Sequence, residues 1–411
     1  MRAGAMGIGE GASSHPTALR QFNEGKMIFS RHSVLKRGCS TWDKQQMPQE
    51  EFQSRVNAAR TEMARQDLDA LVVYGDNYSF AELCYLTNYF PKVRGGIAVV
   101  PKSGAISLLL NIGSRDVPFA KTLTWVEDVR ASNQVGRDGA ELLKEKGLTR
   151  ARVGLLDSGK GFPLPQLEEL KGGLPQVEWQ PCHSMLQRAL LQKSARELVT
   201  LRNAGHVLSA ICSGAKNFIK QGRKEFEIIA DIDRLARDKG VEDIRILAGE
   251  KRLQPPSFRM TASVGDHWAV YFAIQHERYW VEAGRTYILS ADPKFQSAYQ
   301  KAQETVAQMA SQLTPGNSIA AIDETARKQL GEFYATASIY GLGNGIGLNQ
   351  WEAPFLSEDD ARQVGSPSVG ATALNENMTL ALRVTFETEG RLILFGDSFE
   401  VTPNGPKSLF R

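Results

Sequence analysis

The residues best suited to chemistry sit in one short stretch, Tyr340-Gly341-Leu342-Gly343-Asn344-Gly345-Ile346-Gly347-Leu348, followed by Trp351-Glu352-Ala353-Pro354. Four glycines in nine residues exclude a helix and an ordinary strand. Glycine serves where the backbone bends with positive φ or passes close to another group, so the run reads as the floor of a pocket. A glycine-rich surface loop is the plainer reading of the same run. Glu352 offers a general acid or base beside that floor, provided burial lifts its carboxyl toward neutrality. Trp351 offers a flat face for substrate stacking or for ordinary packing.

The elements that must position this stretch follow from composition and periodicity. The chain has 411 residues, 42% hydrophobic and 23% charged, an ordinary globular composition with room for two to three domains. A net charge of +3 gives no support for nucleic acid or an anionic membrane as partner. No apolar run approaches the roughly 20 residues of a membrane span. Cys39, Cys84, Cys182 and Cys212 are scattered without a CxxC pair, which favours reduced thiols and a cytoplasmic location over a disulfide or zinc framework. Residues 1–46 show no periodicity and no apolar leader region, and read as a flexible arm in which Met27 is an alternative start. Residues 47–190 read as an α/β unit. Phe52, Val56, Ala59 and Met63 mark a helix over 49–66, and strands are expected at 69–74, 96–100, 106–110 and 153–157. Residues 191–411 read as α+β. Long helices begin at Lys193 and near Phe226, with Phe226, Ile229 and Ile232 on one face. Strands are expected at 265–275 and 278–290, helices at 293–313 and 318–334, and strands at 378–387 and 391–402.

The order of several marks over about residues 48–405 resembles the creatinase and Xaa-Pro peptidase family. They are Lys193-Ser-Ala-Arg-Glu197 with Leu198 and Leu201, Gly265-Asp266 leading to Arg285-Thr286, Pro315-Gly316, Gly343-Asn344-Gly345-Ile346-Gly347, Asn377-Met378, and Val401-Thr402 with Gly405. The resemblance implies an α/β N-terminal domain plus an α+β pita-bread C-terminal domain, a creatinase-like two-domain architecture. It also implies a homodimer with a site shared across subunits.

The family's peptidases hold two divalent metals with two Asp, one His and two Glu. On the family's spacing these positions carry Tyr271, Glu282, Asn344, Arg383 and Gly396. Only Glu282 is a hard-metal ligand, and Arg383 brings a fixed positive charge, so no metal or other cofactor is expected. Creatinase is the family's metal-free hydrolase of an amidino C–N bond. Its catalytic His falls on Gln254 and its carboxylate on Gly284. Arg94 aligns with the creatinase arginine that reaches a partner's site and binds substrate carboxylate.

Alternation along the strands puts His267 on the face of Tyr271, and Trp280 on that of Glu282. The expected site is therefore Glu282, Tyr271, Asn344, His267 and Glu352 as catalytic groups, with Arg383, Arg94, Trp351 and Gln254 binding substrate. The corresponding function is metal-independent hydrolysis of a C–N bond, or a related elimination, on a small carboxylate-bearing metabolite. Arg383 and Glu282 also read as a buried ion pair replacing the metal centre, His267 as a satisfied sheet histidine, and Arg94 as a surface charge. His276, in a hairpin turn, reads as solvated. An inactive ligand-binding or interaction module is the alternative function. A divergent Xaa-Pro metallopeptidase is a third, requiring other carboxylates such as Glu387 and Asp397 to converge.

Overall fold

The computed structural model describes residues 42–92, 94–156, 161–255, 262–356 and 373–410. Residues 1–41 of the expected arm lie outside the described residues. The first half runs α1 (Gln49–Arg65), β1 (Ala70–Gly75), α2 (Ala81–Thr87), β2 (Gly96–Pro101), β3 (Ser107–Leu110), α3 (Val117–Ala120), β4 (Asp128–Ala131), α4 (Val135–Glu145), β5 (Arg152–Leu156), α5 (Leu164–Gly172), β6 (Glu178–Pro181) and α6 (Gln187–Leu191). Its strands form one mixed sheet in the order β4-β3-β2-β1-β5-β6. Leu71 and Val73 of β1 enter one core and Ala70, Val72 and Tyr74 the other. A strand covered on both faces is apolar throughout, which is why this one shows no alternation in sequence.

The second half runs α7 (Ala195–Ala215), α8 (Glu225–Asp238), β7 (Asp243–Gly249), β8 (His267–His276), β9 (Tyr279–Ile288), α9 (Pro293–Ser311), α10 (Ile319–Leu330), α11 (Tyr334–Tyr340), β10 (Gly343–Gly345), β11 (Glu352–Phe355), β12 (Thr379–Thr388), β13 (Arg391–Thr402) and β14 (Gly405–Ser408). Among the described residues the sheet order is β11-β10-β12-β13-β9-β8-β7, with β14 on β13, and neighbours are antiparallel. Helix α7 starts at a capping box, in which Ser194 and Glu197 exchange side-chain to backbone hydrogen bonds. Helices α7 and α8 cover the side of β8 that carries Trp268, Val270, Phe272 and Ile274. Helices α9 and α10 cover Val384, Phe386 and Ile393. The opposite face carries Ala269, Tyr271, Ala273 and Trp280 with Leu392 and Leu394.

Several expectations are corrected. Phe226 is exposed and Ile228 takes its place in the core, because the buried stripe of α8 runs through Glu225, Ile228, Ile229, Ile232 and Ala236 and Phe226 lies about a quarter-turn away from it. The helix expected over 318–334 stops at Leu330, where Gly331 takes φ +58°, and α11 follows. Gly343–Gly345, excluded above from an ordinary strand, is a short strand between β11 and β12. A Cβ on Gly343 would lie 2.2 Å from the Ala381 carbonyl, and one on Gly345 2.3 Å from that of Ala353. Close backbone approach is therefore what Gly343 and Gly345 provide, whereas Gly341 bends with φ +76°. The β8–β9 turn, Glu277-Arg278 with φ 49° and 76°, is only partly solvated. Arg278 is buried and paired with Glu242 at 2.6 Å, and His276 is half-buried, its imidazole pKa lowered mainly by desolvation.

The two halves are joined by buried polar contacts. Arg55 of α1 reaches Glu51 at 3.1 Å and Glu197 at 3.6 Å, and donates to the Tyr85 carbonyl and the Tyr279 hydroxyl.

Gly345→Ala is expected to cost about 1–3 kcal/mol of stability, since its methyl must displace backbone. A fall in the urea midpoint with an unchanged slope is the readout.

Candidate functional site

Register places the site. Arg383 of β12 lies opposite Gly396 of β13, Gly396 opposite Gly284 of β9, and Gly284 opposite Tyr271 of β8. The middle two positions of this row carry no side chain. The Arg383 side chain lies over that gap and meets Glu282, one same-face step along β9 from Gly284. A Cβ on Gly396 would fall 2.8 Å from the Arg383 Cβ, and a Cβ on Gly284 2.7 Å from Leu394. Gly396 is the condition for the arginine's path, and Gly284 makes room for Leu394 beside it.

Arg383 Nη1 donates to Glu282 Oε2 at 3.2 Å and to Asn344 Oδ1 at 2.8 Å. The Asn344 amide nitrogen donates to the carbonyls of Gly345 and Gln350 at 2.8 and 3.0 Å. Asn344 thus orients the guanidinium and has no donor left for a developing charge. Gln350 donates to the Tyr271 hydroxyl at 2.8 Å and accepts from Arg245, whose guanidinium lies 4.6 Å above the Trp280 ring. Gln350 and Arg245 were not anticipated. Gln350 lies between Asn344 and Trp351, and its place in that stretch was the available signal. Arg245 had none, because β7 shows too little alternation to be read as a strand.

Burial sets the proton affinities. It raises the Glu282 carboxyl, against the opposing pull of Arg383. It also raises the Tyr271 phenol well above its ordinary value, with the Glu282 charge adding to the rise. Tyr271 is therefore a neutral hydrogen-bond donor at physiological pH. Glu282 Oε1 is buried and accepts no hydrogen bond among the described residues. The crevice bounded by Tyr271, Glu282, Gly284, Arg383 and Gly396 has no room for a water molecule.

The structure brings Tyr271, Glu282, Asn344 and Arg383 together and places the other expected residues elsewhere. His267 is buried at the start of β8, between Asp266 Oδ1 at 2.7 Å and the Glu250 carbonyl at 2.9 Å, with its ring edge-on to Phe295. Both ring nitrogens are occupied, as in the satisfied-histidine reading. Both Glu352 oxygens are taken, Oε2 by Lys193 at 2.8 Å and Oε1 by the Asn349 amide at 2.9 Å. This buried pair ties the glycine-rich stretch to the start of α7. Gln254 makes a two-way backbone bridge to Ala248. Trp351 is 48% exposed. Arg94 is exposed and donates to Asn111 at 3.3 Å. Glu387 is exposed at the end of β12, and Asp397 pairs with Arg285 at 2.6 Å, so these two carboxylates do not converge.

The donors at the centre are one carboxylate, one phenol and one amide, with a guanidinium bonded to two of them. That set does not match a divalent-metal site. Among the described residues no group of three or more His, Cys, Asp or Glu side chains is placed to hold a metal ion.

Residues 199–403 match metallopeptidase family M24, and residues 55–189 match the creatinase/prolidase N-terminal domain. The chain belongs to the creatinase and Xaa-Pro peptidase family. Its second half is this family's pita-bread fold and its first half the associated α/β domain. The Xaa-Pro dipeptidase of Pyrococcus horikoshii is 24% identical over 272 residues, spanning 63% of this chain and 74% of that protein. The Xaa-Pro dipeptidase of Pyrococcus furiosus is 22% identical over 242 residues, 56% of this chain and 66% of that one. Among solved structures, the X-Pro aminopeptidase of Thermotoga maritima superposes with a TM-score of 0.72 at 17% identity, covering 87% of this chain and 97% of that chain. The prolidase of Pyrococcus horikoshii gives 0.70 at 18%, covering 87% and 98%. At these identities the superpositions establish the fold alone. Within this hydrolase family, the chain carries the Arg383–Glu282 ion pair on its pita-bread sheet.

Arg383→Leu leaves Glu282 buried without its counter-charge and is expected to cost about 3 kcal/mol. Adding Glu282→Leu should restore most of that loss, which a double-mutant cycle in urea measures. The folded-state carboxyl of Glu282 titrates above its unfolded value. Its stabilising contribution is therefore full at acid pH and lost as pH rises through the folded value. Wild-type stability relative to Glu282→Gln should accordingly fall as pH rises above the ordinary glutamate range, as followed by chemical denaturation at each pH.

Proposed function

We propose that this family member works without a metal ion, with the Arg383 guanidinium as the receptor for a small carboxylate-bearing ligand. The observation that carries this reading is that the guanidinium is held from one side. Nη1 is fixed by Glu282 and Asn344, whereas Nε and Nη2 have no hydrogen-bond partner among the described residues. The side chain keeps 12% exposure. Two adjacent free N–H groups on a preoriented fork suit a carboxylate taken in bidentate fashion. The closed crevice behind the fork supports a ligand seated at its outer edge.

A second reading, metal-independent hydrolysis of a C–N bond or a related elimination, is favoured by Glu282. A buried carboxyl with raised proton affinity and an unengaged oxygen beside a neutral phenol is equipped to move a proton. It requires the crevice to open far enough to admit water. A cytoplasmic homodimer belongs to both readings. The three described cysteines are buried free thiols, and no described helix is long and apolar enough to cross a membrane.

Elemental analysis of the purified protein is expected to find no stoichiometric transition metal. Calorimetric titration with small carboxylates, amino acids and guanidino acids is expected to detect binding. Arg383→Lys keeps the charge but removes the fork, and should weaken that binding by about tenfold or more. Two near-stoichiometric metal equivalents would restore the metallopeptidase assignment. Turnover that disappears in Glu282→Gln while binding persists would select the hydrolytic reading. No binding of any carboxylate would leave a protein-interaction role.

A further inference from the structure

We infer that the helix side of the same sheet carries a second ligand site, a cleft between α7 and α9 that takes an amphiphilic monoanion, a carboxylate on an aromatic or branched aliphatic body. The cleft holds about 630 Å³, within the range of about 300–1,000 Å³ typical of small-molecule sites. It does not rest on the reading of Arg383, which lies on the other face.

Its chemistry comes from its lining. Tyr287, Ile288 and Phe395 make an apolar floor, and Ser213 of α7 and Lys216 at its C-cap face Gln296 of α9 across it. No acidic side chain is among the lining residues. Two cations are. Arg285 is already compensated: Nη2 pairs with Asp397 at 2.6 Å, and Nη1 donates to the Gly284 and Gly396 carbonyls at 2.7 and 2.6 Å. Lys216 is exposed and makes no ion pair or hydrogen bond among the described residues. The cleft therefore presents one uncompensated positive charge at its rim, over aromatic and branched surface. That combination recognises a single negative charge attached to an apolar body, with hydroxyl and amide donors beside it to complete the anion's hydrogen bonds.

The two faces share a wall. The Gly284 and Gly396 carbonyls that Arg285 holds belong to the glycine pair over which Arg383 lies.

Calorimetric titration of the full chain with 2-naphthoate tests the site. Binding is expected in the wild type. Lys216→Glu should weaken it by about tenfold or more, and Ser213→Trp, which fills the cleft, should abolish it. Arg383→Lys should leave it unchanged. Positions 213 and 216 are exposed, and an unaltered melting temperature will confirm that both variants fold. Binding that follows Arg383→Lys and ignores Lys216→Glu would assign the anion to the opposite face and overturn the proposal. So would the absence of wild-type binding up to about 10 mM, or binding indifferent to all three substitutions.

Discussion

The Arg383–Glu282 ion pair is the contact on which the rest of the site depends. A charge inside a protein is tolerated only with a partner and with its remaining donors and acceptors satisfied or wet. Each neighbouring feature answers one part of that demand. Gly396 clears the path. Asn344 takes the second bond of Nη1. Gln350 pins Tyr271 beside the carboxylate, and Arg245 pins Gln350 while resting on Trp280. The site is a chain of mutual orientation spanning β7, β8, β9, β10 and β12, assembled around one positive charge.

That dependence explains the uneven use of glycine. In the row from Arg383 to Tyr271, glycines leave room for a side chain. In β10 they bring backbones together, so that Asn344 sits under the arginine. Gly347 does a third job, fitting between Lys193 and Glu352, where any added carbon would meet both. The acid that looked catalytic in sequence is thus part of the frame that holds the turn against α7.

Much of the fold was legible because long amphipathic helices and alternating strands announce themselves. The faces of α1, α7 and α9, the β8–β9 hairpin and the β12–β13 pair follow from periodicity. The strands β4, β6, β7, β10, β11 and β14 do not, since none of them is the continuous apolar run that marks β1, β2, β3 and β5. At the site, register and family spacing together gathered Tyr271, Glu282, Asn344 and Arg383. His267 was drawn in by alternation alone, which assigns a face but not a position along the strand. Two further steps along β8 carried it to Asp266 and Glu250. Gln350 was missed because an amide in a loop has no periodicity to betray it.

The closeness of Gly396 to the Arg383 Cβ couples what the two positions can carry. A carboxylate introduced at position 396 collides with the arginine as long as that residue remains. Removing the arginine first strands Glu282 in the sheet. Either single step lowers stability on its own, so the two positions are coupled, and the coupling rests on the absence of one β-carbon.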